Sequence, residues 1–122
     1  MPKSFLTACA VVVWLHAAVA APSAPAAGLR CGWFDNPTPA NAWLHDRDGE
    51  WTVSIQGGHQ ADGDWPAFKA SQWVNTNVHY GHGCACLKVE ADSKTHEVNR
   101  ILSARARPLG TCRADHALTE PA

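Results

Sequence analysis

His79-Tyr80-Gly81-His82-Gly83-Cys84-Ala85-Cys86, running on into Leu87-Lys88-Val89-Glu90-Ala91, is the stretch on which the fold turns. From Cys84 onward the side chains alternate. Ala85, Leu87, Val89 and Ala91 fall on one face, and Cys84 and Cys86 on the other. A period of two is the signature of a β-strand. Two sulfurs spaced i, i+2 leave the same face. They are poorly placed to bond each other, because such a pair sits near the upper limit of about 6.8 Å between Cα atoms. Each sulfur therefore needs a partner elsewhere.

Two chemistries compete for the segment. His79, His82, Cys84 and Cys86 together offer the soft ligands of a copper or zinc site, with Gly81 and Gly83 able to form the tight loop it needs. In an oxidising compartment the same cysteines form disulfides instead. The start of the chain decides between them. Lys3 gives a short positive region, Phe5 to Leu15 is almost wholly apolar, and Ala18-Val19-Ala20 is a small-x-small cleavage site. That pattern predicts a secretory signal over residues 1–20. The 17 residues from Phe5 to Ala21 reach only the lower limit of a membrane span. Leu6-Thr7-Ala8-Cys9 resembles a lipobox, but too few apolar residues precede Cys9. No stable membrane anchor is expected after cleavage.

Export changes the composition that folds. Of five cysteines, Cys9 leaves with the leader, and Cys31, Cys84, Cys86 and Cys112 remain. An even count in a short exported chain implies a disulfide framework. The pairing is either Cys31–Cys84 with Cys86–Cys112 or Cys31–Cys86 with Cys84–Cys112. Losing Lys3 leaves nine Lys and Arg against eleven Asp and Glu, a net charge of −2. That balance gives no reason to expect nucleic acid or an anionic membrane as partner. With the thiolates spent on disulfides, the metal reading narrows to His79 and His82, as a loose periplasmic copper or zinc site with or without Cys84 and Cys86. No resident cofactor is expected.

Working outward from the central strand, residues 21–28 (Ala-Pro-Ser-Ala-Pro-Ala-Ala-Gly) read as a flexible spacer. A single β domain is expected over 29–115, with a frayed tail at 116–122. Pro37-Thr38-Pro39 predicts a break. Asn41 to Asp46, the turn residues Asp46-Arg47-Asp48-Gly49, and the alternating Glu50 to Gln56 predict a hairpin with Trp51, Val53 and Ile55 on one face. Asp46-x-Asp48-Gly49 lacks the remaining ligands of a calcium loop. Ala67 to Thr76 fits a short helix or a strand. Asp92-Ser93-Lys94-Thr95 predicts a second turn. The return strand, about Glu97 to Arg107, then places Leu102, Ala104 and Ala106 on one face. Ile101, Ser103, Arg105 and Arg107 fall on the other. The expectation is mainly β: a small disulfide-stapled antiparallel barrel or sandwich with room for one short helix.

Five tryptophans remain after cleavage: Trp33, Trp43, Trp51, Trp65 and Trp73. Packing explains most such rings. Trp65, beside Pro66 in a polar loop, is the first candidate for a ligand-facing platform, with Trp33 and Trp73 behind it. No serine or cysteine nucleophile stands in a recognisable catalytic setting, and no phosphate-binding glycine loop occurs. The sequence therefore points away from an enzyme. It points to an exported binding module for a cell-envelope protein or glycan, with metal binding as the alternative.

Arg30-Cys31-Gly32-Trp33-Phe34-Asp35-Asn36-Pro37-Thr38-Pro39-Ala40-Asn41, Asp46-Arg47-Asp48-Gly49-Glu50-Trp51, Gly63-Asp64-Trp65-Pro66 and Gly83-Cys84-Ala85-Cys86 form a distinctive set. Together they resemble a family of small exported bacterial proteins known only as a domain of unknown function. The resemblance spans roughly Arg30 to Asp115. It implies neither activity nor cofactor. His82 stands between Gly81 and Gly83 where the family pattern leads one to expect an aromatic residue, a departure that weakens any metal site depending on His82 as a family-wide function.

Overall fold

A computed structural model describes Ser4, residues 8–18 and residues 27–122. The expected cleavage junction at Val19-Ala20 and the spacer as far as Ala26 lie outside the described residues. Among the described residues, no helix is long and apolar enough to cross a membrane.

Six strands make one sheet: β1 (Ala27–Thr38), β2 (Asn41–Asp46), β3 (Gly49–Ser54), β4 (Val74–Asn77), β5 (Tyr80–Asp92) and β6 (Glu97–Arg107). One short helix, α1 (Leu109–Arg113), follows β6. The order is β1-β2-β3-β6-β5-β4, and β1 also pairs with β5, so the sheet closes into a ring. The β3–β6 side of the ring is its thinnest. There Thr52 and Glu97 form a single parallel bridge. Residues 60–62 fill the remaining gap as a strap, with Ala61 N–H donating to Val53 C=O at 2.9 Å and Ile101 N–H to Asp62 C=O at 2.7 Å.

Both expected hairpins are present. Asp46 and Gly49 pair across the β2–β3 turn, where Gly49 has a φ of 122°. In the β5–β6 turn the Asp92 carboxylate accepts the N–H of Lys94 at 2.7 Å and of Thr95 at 3.2 Å. Those two donors hold the Asp92 carboxyl below the ordinary carboxylate range.

The sequence reading missed β1, left Ala67 to Thr76 undecided and gave the return strand a single alternation that it does not keep. Pro37 does not break the chain before β1 ends. It sits where the β1–β2 register shifts between Asp35 and Thr38, and an irregular position tolerates a residue without an N–H. Ala67 to Thr76 holds both alternatives in miniature, a 3-10 turn at Ala70–Gln72 and then β4. The return strand does not keep one alternation. The β5–β6 register shifts between Lys88 and Val89, where Lys88 faces Ser103, Val89 faces Ile101 and Leu102 bulges. Ile101 is therefore buried in the core while Ser103, grouped with it by alternation, is exposed, and Leu102 is 44% exposed.

The interior of the ring is packed by Phe34, Leu44, Trp51, Val53, Leu87, Val89, Val98 and Ile101, with Ala42 and Ala85 filling between them. Phe68 and Trp73 close over it from the segment before β4. The approach is possible because β5 carries glycine at two points. A Cβ on Gly81 would meet the Val74 carbonyl oxygen of β4, and one on Gly83 would meet the Phe68 ring at 2.5 Å.

Candidate functional site

The disulfides are Cys31–Cys86 and Cys84–Cys112, the second of the two pairings the sequence left open. Cys31 and Cys86 are direct partners in the β1–β5 pairing, with Cα atoms 4.0 Å apart. Cys84 reaches instead to α1 and pins it against the outside of the sheet. Trp33, cross-strand from Cys84, joins the two sulfurs in a second small core with Leu109 and Leu118 against it. Trp33 is wholly buried there, so it packs the disulfide and presents no face to a ligand. Leu118 belongs to the segment expected to fray, and in the structure it lies against this cluster.

His79 and His82 go to different places. His79 is exposed at the β4–β5 turn, its ring 4.3 Å from that of Tyr80. His82 is 2% exposed, edge-on to Trp33 at 5.2 Å, with Glu120 Oε1 3.5 Å from its Nε2. Among the described residues, no group of three or more His, Cys, Asp or Glu side chains is arranged to hold a metal ion. The four sulfurs are all spent on disulfides.

His82 faces Asp35 across β1 and β5, and Asp35 Oδ2 lies 3.6 Å from His45 Nε2. His45 Nδ1 in turn stands 3.7 Å from Glu50 Oε2. Burial raises the Asp35 carboxyl above its ordinary pKa, with His45 and His82 pulling it the other way. The array has the residue types of acid–base chemistry. It lies on the outside of the sheet, and the cavities beside Trp65 and Trp73 are lined by none of these groups.

The tryptophans divide by position. Trp51 is buried, donating to Asp46 Oδ1 at 2.9 Å, with the Arg30 guanidinium 3.6 Å from its ring centroid and His96 stacked at 4.0 Å. Trp43 is half-buried. Trp73 lines a cavity of about 410 Å³ with Phe68, Lys69, Ala70, Asn75 and His79. Trp65 keeps 36% of its surface exposed, with its ring in a T-shaped contact with Phe34 at 5.5 Å between centroids. Beside it a slot of about 400 Å³ runs between Gly63-Asp64-Trp65 and Ile101-Leu102-Ser103-Ala104.

That slot opens on the free side of β6. Beyond Ile101, whose N–H is taken by Asp62, no strand lies beside the outer edge of β6 among the described residues. Ala104 and Ala106 thus turn their main-chain N–H and C=O groups outward, next to exposed Leu102 and Trp65. Arg100, Arg105 and Arg107 are spaced along the same strand and make no ion pair among the described residues, where the bridging arginines are Arg30 and Arg113. Nε of Arg107 is buried with no hydrogen-bond partner. Sequence reading found Trp65. It missed the edge, because the bulge that exposes Leu102 and the missing neighbour strand leave no local signal.

Fold and surface together define a small disulfide-stapled β domain with an open, basic sheet edge. Residues 26–119 match the family described as "Protein of unknown function (DUF4087)", and the chain belongs to that family. No curated protein and no solved structure matches it. The two disulfides fit an oxidising setting.

Proposed function

We propose that this chain is an exported, non-catalytic binding module of the cell envelope that takes an extended, acidic segment of a partner protein along the outer edge of β6. The observation that carries the reading is the conjunction on one strand of unpaired main-chain groups, exposed Leu102 beside Trp65, and arginines without carboxylate partners. An added strand supplies the missing hydrogen bonds, and alternate side chains reach the slot and the arginines. A second copy of this chain fits the edge poorly. Antiparallel pairing of β6 with itself sets arginine against arginine.

Export is supported by the leader pattern and by the disulfide pairs. The protein-segment reading is favoured over a glycan because Trp65 keeps only 36% of its surface exposed, in a slot bordered by the main chain of β6. The histidine metal reading has little behind it, since His82 is buried and His79 stands apart at a turn.

The reading is tested with an array of peptides from envelope proteins of the host, with hits mapped on the isotope-labelled domain by NMR. Ala104→Pro removes an outward-pointing main-chain donor of β6 and blocks strand addition. Binding that Ala104→Pro abolishes, while the variant keeps the wild-type fold by circular dichroism, supports the reading. Binding indifferent to that change contradicts it.

A further inference from the structure

The two disulfides sit two residues apart on one face of β5, yet their environments differ sharply. Cys84 and Cys112 are 2% and 3% exposed, sealed under Trp33, Leu109 and Leu118. Cys31 is exposed and Cys86 half-buried. A cavity of about 340 Å³ opens onto Cys86, lined also by Leu29, Ser103, Arg105 and Arg107. Arg105 is the direct cross-strand partner of Cys86 in β6.

We propose that Cys31–Cys86 is a thiol–disulfide exchange site, opened in the folded protein by a dithiol reductant, and that Cys84–Cys112 is structural. The thiolate of the dithiol attacks the accessible Sγ of Cys31 in line with the S–S bond. A mixed disulfide forms there, the Cys31–Cys86 bond breaks, and its electron pair leaves on Cys86 as thiolate. Arg105 and Arg107 are cations close enough to favour that thiolate, and a better leaving group leaves faster. The second thiol of the reductant then attacks the mixed disulfide and releases Cys31. In balance, the reductant becomes a disulfide, and two electrons and two protons pass to Cys31 and Cys86.

The fold survives the opening. Cys31 and Cys86 lie in the middle of a ladder in which β1 from Ala27 to Asn36 pairs with β5 from Gly81 to Glu90, so main-chain hydrogen bonds hold the two strands once the covalent tie is cut. The buried bridge differs in this respect. It is the covalent tie between α1 and the sheet, and although it borders a cavity of about 280 Å³ shared with Cys31 and Cys86, its two cysteines expose only 2% and 3% of their surface to an attacking thiolate.

The test is dithiothreitol treatment of the folded, oxidised protein at neutral pH, with timed alkylation and peptide mass mapping. Alkylation of Cys31 and Cys86 is expected roughly tenfold or more faster than that of Cys84 and Cys112, with near-ultraviolet circular dichroism retained. Arg105→Ala, at an exposed site, is expected to slow the first step about threefold or more without changing the fold. Reduction of both bridges at one rate, reduction of Cys84–Cys112 first, or reduction only as the circular dichroism signal is lost overturns the proposal. An unchanged rate in Arg105→Ala overturns the role given to that arginine.

Discussion

The indole N–H of Trp51 donates to the carboxylate of Asp46 at 2.9 Å, and both residues are buried. The same carboxylate receives the Arg30 guanidinium at 2.9 Å and caps the N–H of Asp48 at 2.8 Å. One side chain therefore ties the start of β1, the β2–β3 turn and the core tryptophan together. Removing it leaves an indole donor and a partly buried guanidinium without an acceptor. Asp46→Ala is expected to destabilise the domain by about 2–4 kcal/mol, read as a shift of the urea midpoint with unchanged slope. A loss below about 0.5 kcal/mol contradicts this account of the triad.

The exported protein is expected to start at Ala21 and to weigh four protons less than its fully reduced chain, one pair for each disulfide. Intact mass reads both numbers at once. A retained leader or a fully reduced mass contradicts the export reading.

Cutting the buried bridge by Cys84→Ala with Cys112→Ala is expected to destabilise the domain by about 3–4 kcal/mol for a closed loop of this size. The sequence separation is 28. Trp33 loses its cover of α1 and Leu118, so its fluorescence shifts to the red before the core unfolds. Trp33 emission that stays blue until global unfolding contradicts the second small core.

Asp35 gives a pH signature. Its folded-state carboxyl is raised above the ordinary 3.8 by burial, so the folded chain holds this proton more tightly than the unfolded one. Stability from protonated Asp35 is full below pH 3.8 and is lost as pH rises through the folded-state value. The stability difference between wild type and Asp35→Asn is expected to change across that window in this direction, measured from urea midpoints at a series of pH values. A difference that stays flat, or moves the other way, contradicts the assigned burial.

Val78 is a β-branched residue at φ 57°, and its side chain is 84% exposed at the β4–β5 turn. Val78→Gly is expected to stabilise the domain by about 1 kcal/mol by relieving that backbone conformation. A destabilised variant shows that Val78 makes contacts worth more than its strain.

How much of this was written in the sequence depends on the range of the interactions. The two hairpins were legible because Trp51-x-Val53 and Leu87-x-Val89 alternate beside good turn residues. The cysteine partners were narrowed to two pairings by counting, and strand geometry put Cys84 and Cys86 on one face. β1 was not legible, since Gly28, Gly32 and Pro37 disfavour a strand locally, and what makes it one is long-range pairing with β5. The parting of buried Ile101 from exposed Ser103 follows from a bulge, which no periodicity announces. Trp33 looked like a candidate platform, because its burial is created by a disulfide, a five-residue helix and the chain end. The candidate edge is defined by a strand that is missing, and a missing neighbour leaves no mark in the residues that remain.

The central claim is that the outer edge of β6 receives a partner strand. The most direct measurement is NMR shift mapping of the labelled domain against the acidic, extended peptides that bind it best. The account predicts shifts confined to the Leu102–Arg107 segment and the Trp65 indole, with the outward-pointing Ala104 and Ala106 amides gaining protection from hydrogen exchange. Shifts centred on the Phe68–Trp73 cavity, or peptide binding that leaves the β6 amides unprotected, would contradict it.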